Sequence, residues 1–247
     1  MSRLRHYFKV AGCFQNCVTN WSRLKNVQHI TERWTSCKFF QVSSVPFSHI
    51  SPPKDYGLPN PSWSKDMVNL FNKYMEKAKD GTWKKLPSYN RTIKFVRGMD
   101  TDSKCRLFSR NTDIEGAGFE YAMFYNKVEN KLFSIFQFGY LLEGFPGHVH
   151  GGAIATAIDA TAGSCASCFM GRVMTAYLNL NFRNPTPLGS TVVVDNNVEK
   201  IEGRKVFLTS QVRSIDGTKI YVDATALFIQ LTTEQLSEME KELDSYI

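Results

Sequence analysis

The chain lacks the marks of several common protein classes. No stretch approaches the ~18 uninterrupted apolar residues of a membrane span, so at most peripheral membrane contact is expected. There is no Gly-x-Ser-x-Gly nucleophile elbow, which argues against an α/β-hydrolase route. Internal repeats and low-complexity tracts are absent too, which sets solenoids and arrays aside. Cysteine is scarce: of six, Cys13, Cys17 and Cys37 lie near the N-terminus, leaving Cys105, Cys165 and Cys168. Three cysteines make no disulfide framework, so a reducing compartment fits. Cys165-x-x-Cys168 has redox or zinc spacing but no second pair. His148 and His150 alternate without a third ligand nearby. Neither a metal nor a cofactor is expected.

Acid is missing at the N-terminus. Residues 1–38 hold Arg3, Arg5, Lys9, Arg23, Lys25, Arg33 and Lys38 against Glu32 alone, nearly all of the net charge of +7. The remainder of the chain is close to neutral, so the basicity is not a nucleic-acid-binding face, and no nucleic-acid partner is expected. Leu4, Phe8 and Val10 alternate weakly with Arg5 and Lys9, and hydroxyl residues abound. Arginine-rich, hydroxyl-rich, acid-poor leaders of this kind direct mitochondrial import, whereas a secretory signal needs an unbroken apolar core. The alternative is a basic arm touching anionic lipid. The expected location is the mitochondrial matrix, alongside a cytosolic pool.

The richest segment is Gly147–Asp159, GHVHGGAIATAID. His150-Gly151-Gly152 ends a loop-like stretch, and the proline-free run of Ala, Ile and Thr after it predicts a helix of small residues, buried along its length. A helix opening on two glycines presents bare N–H groups at its positive end. That suits an oxygen that turns negative during attack on a carbonyl. Asp159 is the only formal charge between Glu143 and Arg172. A lone carboxylate in such a helix needs a reason, because an unpartnered buried charge is costly. Cys165 and Cys168 fall at the end of the same helix, where free cysteine acts as a small hydrophobe.

Around this helix the chain divides into a leader (1–40), a linker with a helical extension (41–100), a main domain (101–232) and an acidic helical tail (233–247). Ser62 or Ser64 can cap a helix running to about Lys79 and ended by Asp80-Gly81, with Met67, Leu70, Phe71 and Tyr74 as its apolar stripe. Strands are expected around Arg106–Arg110, Phe119–Asn126 and Lys131–Phe138, and after the helix at Met174–Phe182, Lys205–Arg213 and Lys219–Leu231. Met174–Phe182 alternates with a period of two, which places Thr175 on its polar face. Turns at Glu202-Gly203 and Asp216-Gly217 read as hairpins. The whole is an α+β plan, a curved antiparallel sheet wrapped around a long central helix.

His150-Gly151-Gly152 with Asp159 nine residues beyond the histidine, between strands in this order, resembles the hotdog-fold acyl-CoA thioesterases. Lys54–Trp63, Gly118–Tyr121, Thr175–Ser190 and Ile201–Lys205 add a likeness to the thioesterase superfamily member 4 and 5 subgroup. The resemblance covers roughly residues 54–231. It implies that Asp159 is the general base on water, that the Gly151 N–H binds the thioester carbonyl, that His150 orients the loop and that Thr175 helps hold the water. Gly152 beside them is a candidate substrate contact. Some relatives carry an asparagine before the motif as a second oxyanion donor; here Leu142-Glu143-Gly144-Phe145 has none, which leaves His150 or another backbone amide. Thioesters are activated acyl donors, so a base, a positioned water and amide donors suffice without a covalent nucleophile. Arg183, Lys200, Arg204 and Lys205 are candidates to meet the phosphates of CoA, their other role being solvated hairpin charge.

The expected function is hydrolysis of long-chain fatty acyl-CoA to fatty acid and CoA. The expected partners are the acyl-CoA substrate and a second copy of the chain, with a dimer of dimers as the larger assembly. The alternative function is a non-catalytic hotdog module that regulates a protein kinase, since fold does not fix function. Retention of Asp159, Thr175 and the glycine pair favours the enzyme.

Overall fold

The computed structural model describes residues 54–88 and 107–245. The leader expected over 1–40, the cysteines Cys13, Cys17, Cys37 and Cys105, and Arg106 lie outside the described residues. In chain order the elements are α1 (Lys65–Lys77), β1 (Trp83–Leu86), β2 (Phe119–Asn126), β3 (Lys131–Phe138), α2 (Gly151–Met170), β4 (Val173–Phe182), β5 (Thr191–Glu202), β6 (Lys205–Ser214), β7 (Ile220–Gln230) and α3 (Thr233–Ser245). The strands form one antiparallel sheet in the order β1-β2-β3-β5-β6-β7-β4. Its two edges are therefore β1 and β4.

α1 starts where its cap allows. Ser64 stands in extended backbone and its side chain accepts from the Met67 N–H at 3.1 Å, satisfying one of the free amides of the first turn. Ser64, not Ser62, is the cap. Met67, Phe71 and Tyr74 then fall on one face, as their helical spacing requires, and pack on the outer surface of the sheet against Trp83, Phe124, Phe133 and Val193. Tyr74 stacks on Phe133 at 4.0 Å between centroids. On the inner surface, Ile154, Ala157, Ile158, Ala162 and Cys165 of α2 meet Tyr121, Phe136, Val194, Leu208 and Phe228. With a helix on each side, β2 is buried at every residue.

Three expectations need correcting. The segment 107–110 is not a strand: Phe108–Arg110 is a single 3₁₀ turn. Its Arg110 is 4% exposed, donates to Ser88 Oγ and to the carbonyls of Phe119 and Tyr121, and lies 3.6 Å over the Tyr121 ring. Burial pulls its pKa below the usual guanidinium value, against the attraction of Tyr121, Glu120 and Asp55. Two strands were not foreseen. β1 pairs with β2 and starts the sheet inside the segment read as linker. β5 sits at the centre of the sheet with no alternating pattern to announce it. Val193 faces α1 while Val192 and Val194 face α2, and Asp195, which reads as loop, is held in the sheet by Lys131 at 3.1 Å and Arg213 at 3.4 Å.

The third correction concerns α2, which is not buried along its length by the described residues. Ala153, Ile154, Ala157, Ile158, Thr161, Ala162, Cys165 and Ala166 are buried, whereas Gly152, Ala155, Thr156, Asp159, Ala160, Gly163 and Ser164 are half-buried or exposed. The helix is long and apolar enough to cross a membrane by composition. Here one of its faces is covered by the sheet. Beside its other face runs the edge strand β4, on which Met174, Tyr177 and Phe182 are exposed.

Candidate active site

α2 begins at a histidine cap. His150 occupies the N-cap in extended backbone, and its Nδ1 accepts from the Gly152 N–H at 2.9 Å. Histidine is an unusual cap, and Gly152 is what permits it: a Cβ at that position would sit 2.9 Å from Nδ1. Gly144 does the same for the loop before the helix, where a Cβ would lie 2.8 Å from His150 Cα. The loop is pinned further by His150 N to Leu142 O at 2.8 Å, Val149 N to Thr186 O at 2.9 Å and Gly144 N to His148 O at 2.9 Å.

Two donors emerge at this end. The Gly151 N–H is the first amide of the helix and has no i−4 carbonyl to bond. It carries the partial positive charge of the helix end. Phe182, at the far end of β4, lies against it; a Cβ on Gly151 would be 3.5 Å from Phe182 Cζ, an ordinary contact. The second donor is the imidazole. With Nδ1 accepting, the proton of the neutral ring is on Nε2, free to point at a ligand.

Asp159 lies eight residues on from Gly151, about 12 Å along the axis at ~1.5 Å per residue. It is half-buried on the uncovered face of α2. Thr175 Oγ1 donates to Asp159 Oδ1 at 2.9 Å. Sequence alternation puts Thr175 on the wrong face for this. β4 pairs Thr175 with Phe228 but Tyr177 with Leu227, so Ala176 is an extra residue, a β-bulge. The bulge shifts the phase. Thr175 joins Leu178, Leu180 and Phe182 on the side facing α2, while Tyr177, Asn179 and Asn181 face outward. Among the described residues no hydrogen bond reaches the remaining carboxylate oxygen, Oδ2, which suits it to hold a water.

The single chain therefore presents two half-sites, not one. His150, Gly151, Gly152 and Phe182 gather at the start of α2, and Arg183 follows Phe182, bound to Asp223 at 2.7 Å. Asp159 and Thr175 form the other half. Lys205 lies near this second half, one residue from the cross-strand row Thr175–Phe228–Val206. Arg204 beside it bonds Gln230 O at 3.1 Å, and Lys200 pairs with Glu202 at 2.9 Å. Sequence reasoning passed over Phe182 as one more core residue of an alternating strand; alternation already puts it on the α2 side, and only the fold brings it next to Gly151. Among the described residues no group of three or more His, Cys, Asp or Glu side chains is placed to hold a metal ion. The Cys165 and Cys168 thiols are pushed up by burial to about 12 and about 11.

A glycine-opened helix with outward amides, and a helix carboxylate bonded to a strand hydroxyl, offer groups suited to hydrolytic chemistry on a hotdog scaffold. The description Thioesterase superfamily matches residues 146–221, which contain both half-sites. The chain is 51% identical to acyl-coenzyme A thioesterase THEM4 of Xenopus laevis over 77% of this chain and 90% of that protein. It is 40% identical to acyl-coenzyme A thioesterase THEM5 of Mus musculus over 75% of this chain and 78% of the relative. Among solved structures, zebra fish thioesterase superfamily member 2 aligns at 15% identity with a TM-score of 0.41, over 45% of this chain and 80% of that one. This protein belongs to the thioesterase superfamily and is a thioester hydrolase.

Proposed function

We propose that this enzyme hydrolyses long-chain fatty acyl-CoA to free fatty acid and CoA by direct attack of water. The observation that carries the reading is the Thr175–Asp159 hydrogen bond of 2.9 Å, which leaves one carboxylate oxygen to orient and deprotonate a water. The Gly151 N–H and the His150 Nε2–H receive the thioester oxygen as it becomes negative, a role for donors fixed before the reaction starts. Collapse of the tetrahedral intermediate breaks the C–S bond and expels the CoA thiolate, which takes up a proton. The relatives are named acyl-coenzyme A thioesterases, which supports acyl-CoA as the substrate.

One base-bound water and one oxyanion donor must reach the same carbonyl carbon, and about 12 Å of helix separates them in one chain. A homodimer resolves this. A two-fold axis pairing the uncovered faces of α2 and the exposed β4 edges brings Gly151 toward Asp159 of the partner subunit. It would also cover Phe182, a large side chain on the α2 side that is exposed in the single chain. A dimer of dimers would need the outer face of β6, β7 and β4, since α1 occupies the rest. Arg183 and the group Lys200, Arg204 and Lys205, at opposite ends of β4, would then flank one cleft and meet the CoA phosphates. The leader directs the enzyme to the mitochondrial matrix; a reporter fused to residues 1–45 should enter mitochondria and remain cytosolic when Arg3, Arg5 and Lys9 become Glu.

The test of the chemistry is Asp159→Asn, assayed by release of free CoA thiol from acyl-CoA substrates. The amide cannot accept the proton, so kcat should fall by ~10²–10⁴ with the fold intact. Turnover within twofold of wild type would remove Asp159 from the mechanism.

A further inference from the structure

An exposed phenylalanine beside a reaction centre calls for an explanation. Phe108 is 71% exposed and its neighbour in space Leu141 is 62% exposed. Together with Phe119, Leu142 and Ala153 they line a cavity of about 440 Å³ whose wall on one side is His150. That volume lies within the ~300–1,000 Å³ range of small-molecule sites. Its apolar lining is interrupted by Asn111, Glu143, His150 and Thr156, and it opens directly beside the oxyanion donors of the candidate site.

Phe108 is not there by looseness of the chain. It starts the 3₁₀ turn Phe108–Arg110, and that turn is bolted to the sheet. Arg110 donates from Nη1 to Phe119 O at 2.8 Å and from Nη2 to Tyr121 O at 3.1 Å, and Ser109 Oγ bonds Tyr121 Oη at 2.8 Å. Burying a guanidinium costs several kcal/mol before its hydrogen bonds are counted. A surface turn with no task has no need of such an anchor. The turn also lies outside residues 146–221, the part matched to the superfamily.

We propose that this cavity takes the acyl chain of the substrate, that Phe108 sets the chain length the enzyme accepts, and that Arg110 is the residue that positions it. The inference rests on the thioesterase reading above. The occupant follows from continuity: a thioester whose carbonyl oxygen meets Gly151 and His150 has its acyl carbons next to Leu142 and Ala153, and from there the apolar path leads under Phe108. Glu143 is the only formally charged residue lining the cavity, a poor match for the phosphates of CoA and no obstacle to an alkyl chain.

The experiment uses the full chain and non-hydrolysable S-alkyl-CoA thioethers carrying butyl and dodecyl chains, with affinity measured by calorimetry. Wild type should bind the dodecyl thioether more tightly. Phe108→Ala, at an exposed position that does not threaten folding, should weaken dodecyl binding by about tenfold, the loss of roughly half a buried aromatic contact. Butyl binding should stay within twofold. Arg110→Met should reproduce the dodecyl loss with butyl again unchanged, a selectivity that general destabilisation would not produce. Equal losses for both chains, an unchanged dodecyl affinity in Phe108→Ala, or no wild-type preference for the longer chain would each overturn the proposal. Failure of the thioesterase reading looks different: wild type would release no CoA from any acyl-CoA, whatever the thioether affinities.

Discussion

Mixing two inactive variants should restore activity. Take Asp159→Asn, which loses the base, and Gly151→Val, whose branched side chain shields the oxyanion amide. Both should fold. Asn is isosteric, and at Gly151 an added Cβ meets the Phe182 ring, with Cζ at 3.5 Å and Cε1 at 3.6 Å, both ordinary contacts. In a dimer where each site draws Gly151 from one subunit and Asp159 from the other, every homodimer of either variant has two damaged sites. A heterodimer has one site with both lesions and one with neither. Random exchange makes about half the dimers hetero, each with one of two sites intact, so about a quarter of wild-type activity should return. The origin of that figure is the helix itself, whose ~1.5 Å rise per residue keeps the two groups about 12 Å apart in one chain. The assay is CoA thiol release after co-refolding differently tagged variants, with exchange verified by tandem affinity capture. Verified heterodimers without activity would mean that each site is built from a single chain, and the placement of Asp159 opposite Gly151 would fall.

Thr175→Val keeps the shape and removes the hydrogen bond to Asp159; kcat should drop by roughly tenfold, less than for Asp159→Asn, because a positioning contact is lost and the base remains. A loss as large as that of Asp159→Asn would make Thr175 more than a clamp. Ser64→Ala removes the α1 cap at a cost of about 1 kcal/mol, and scanning calorimetry should find Tm lower by about 2–4 °C for a unit of this size; an unchanged Tm would mean that water replaces the cap. With burial pushing Cys165 to about 12 and Cys168 to about 11, both thiols stay protonated at neutral pH and well above it. A variant with the other four cysteines replaced by Ser should leave Cys165 resistant to Ellman's reagent at pH 8 until denaturant is added, with the half-buried Cys168 reacting slowly, and rapid native labelling of Cys165 would contradict its burial.

Elements with local signals were legible from residues alone. β2 and β3 begin and end at the residues expected for them, Phe119–Asn126 and Lys131–Phe138. α1 starts at a serine and runs into Asp80-Gly81 for reasons carried by those residues themselves. β5 was invisible because its signal is tertiary. A strand covered on one half by two helices loses its alternation, and Asp195 and Asn196 read as loop until Lys131, Arg213 and Ser210 arrive from neighbouring strands. The 3₁₀ turn at Phe108 was missed for a related reason: Arg110 looks like surface charge, and only the Phe119 and Tyr121 carbonyls turn it into an anchor.

His150, Gly151, Gly152 and Asp159 carry their chemistry in sequence, since a helix opening on glycine has free amides wherever it is placed, and a solitary acid among small apolar residues stands out in any fold. What sequence could not reach was the face on which Thr175 lies. Strict alternation assigns it to solvent, and one extra residue at Ala176 turns it toward Asp159. A bulge is a property of two strands in register, not of either one alone. The same holds for the uncovered side of α2 and the bare edge of β4. Their residues are small or apolar in the sequence, but that they lack a cover among the described residues follows only from how the sheet closes around the helix.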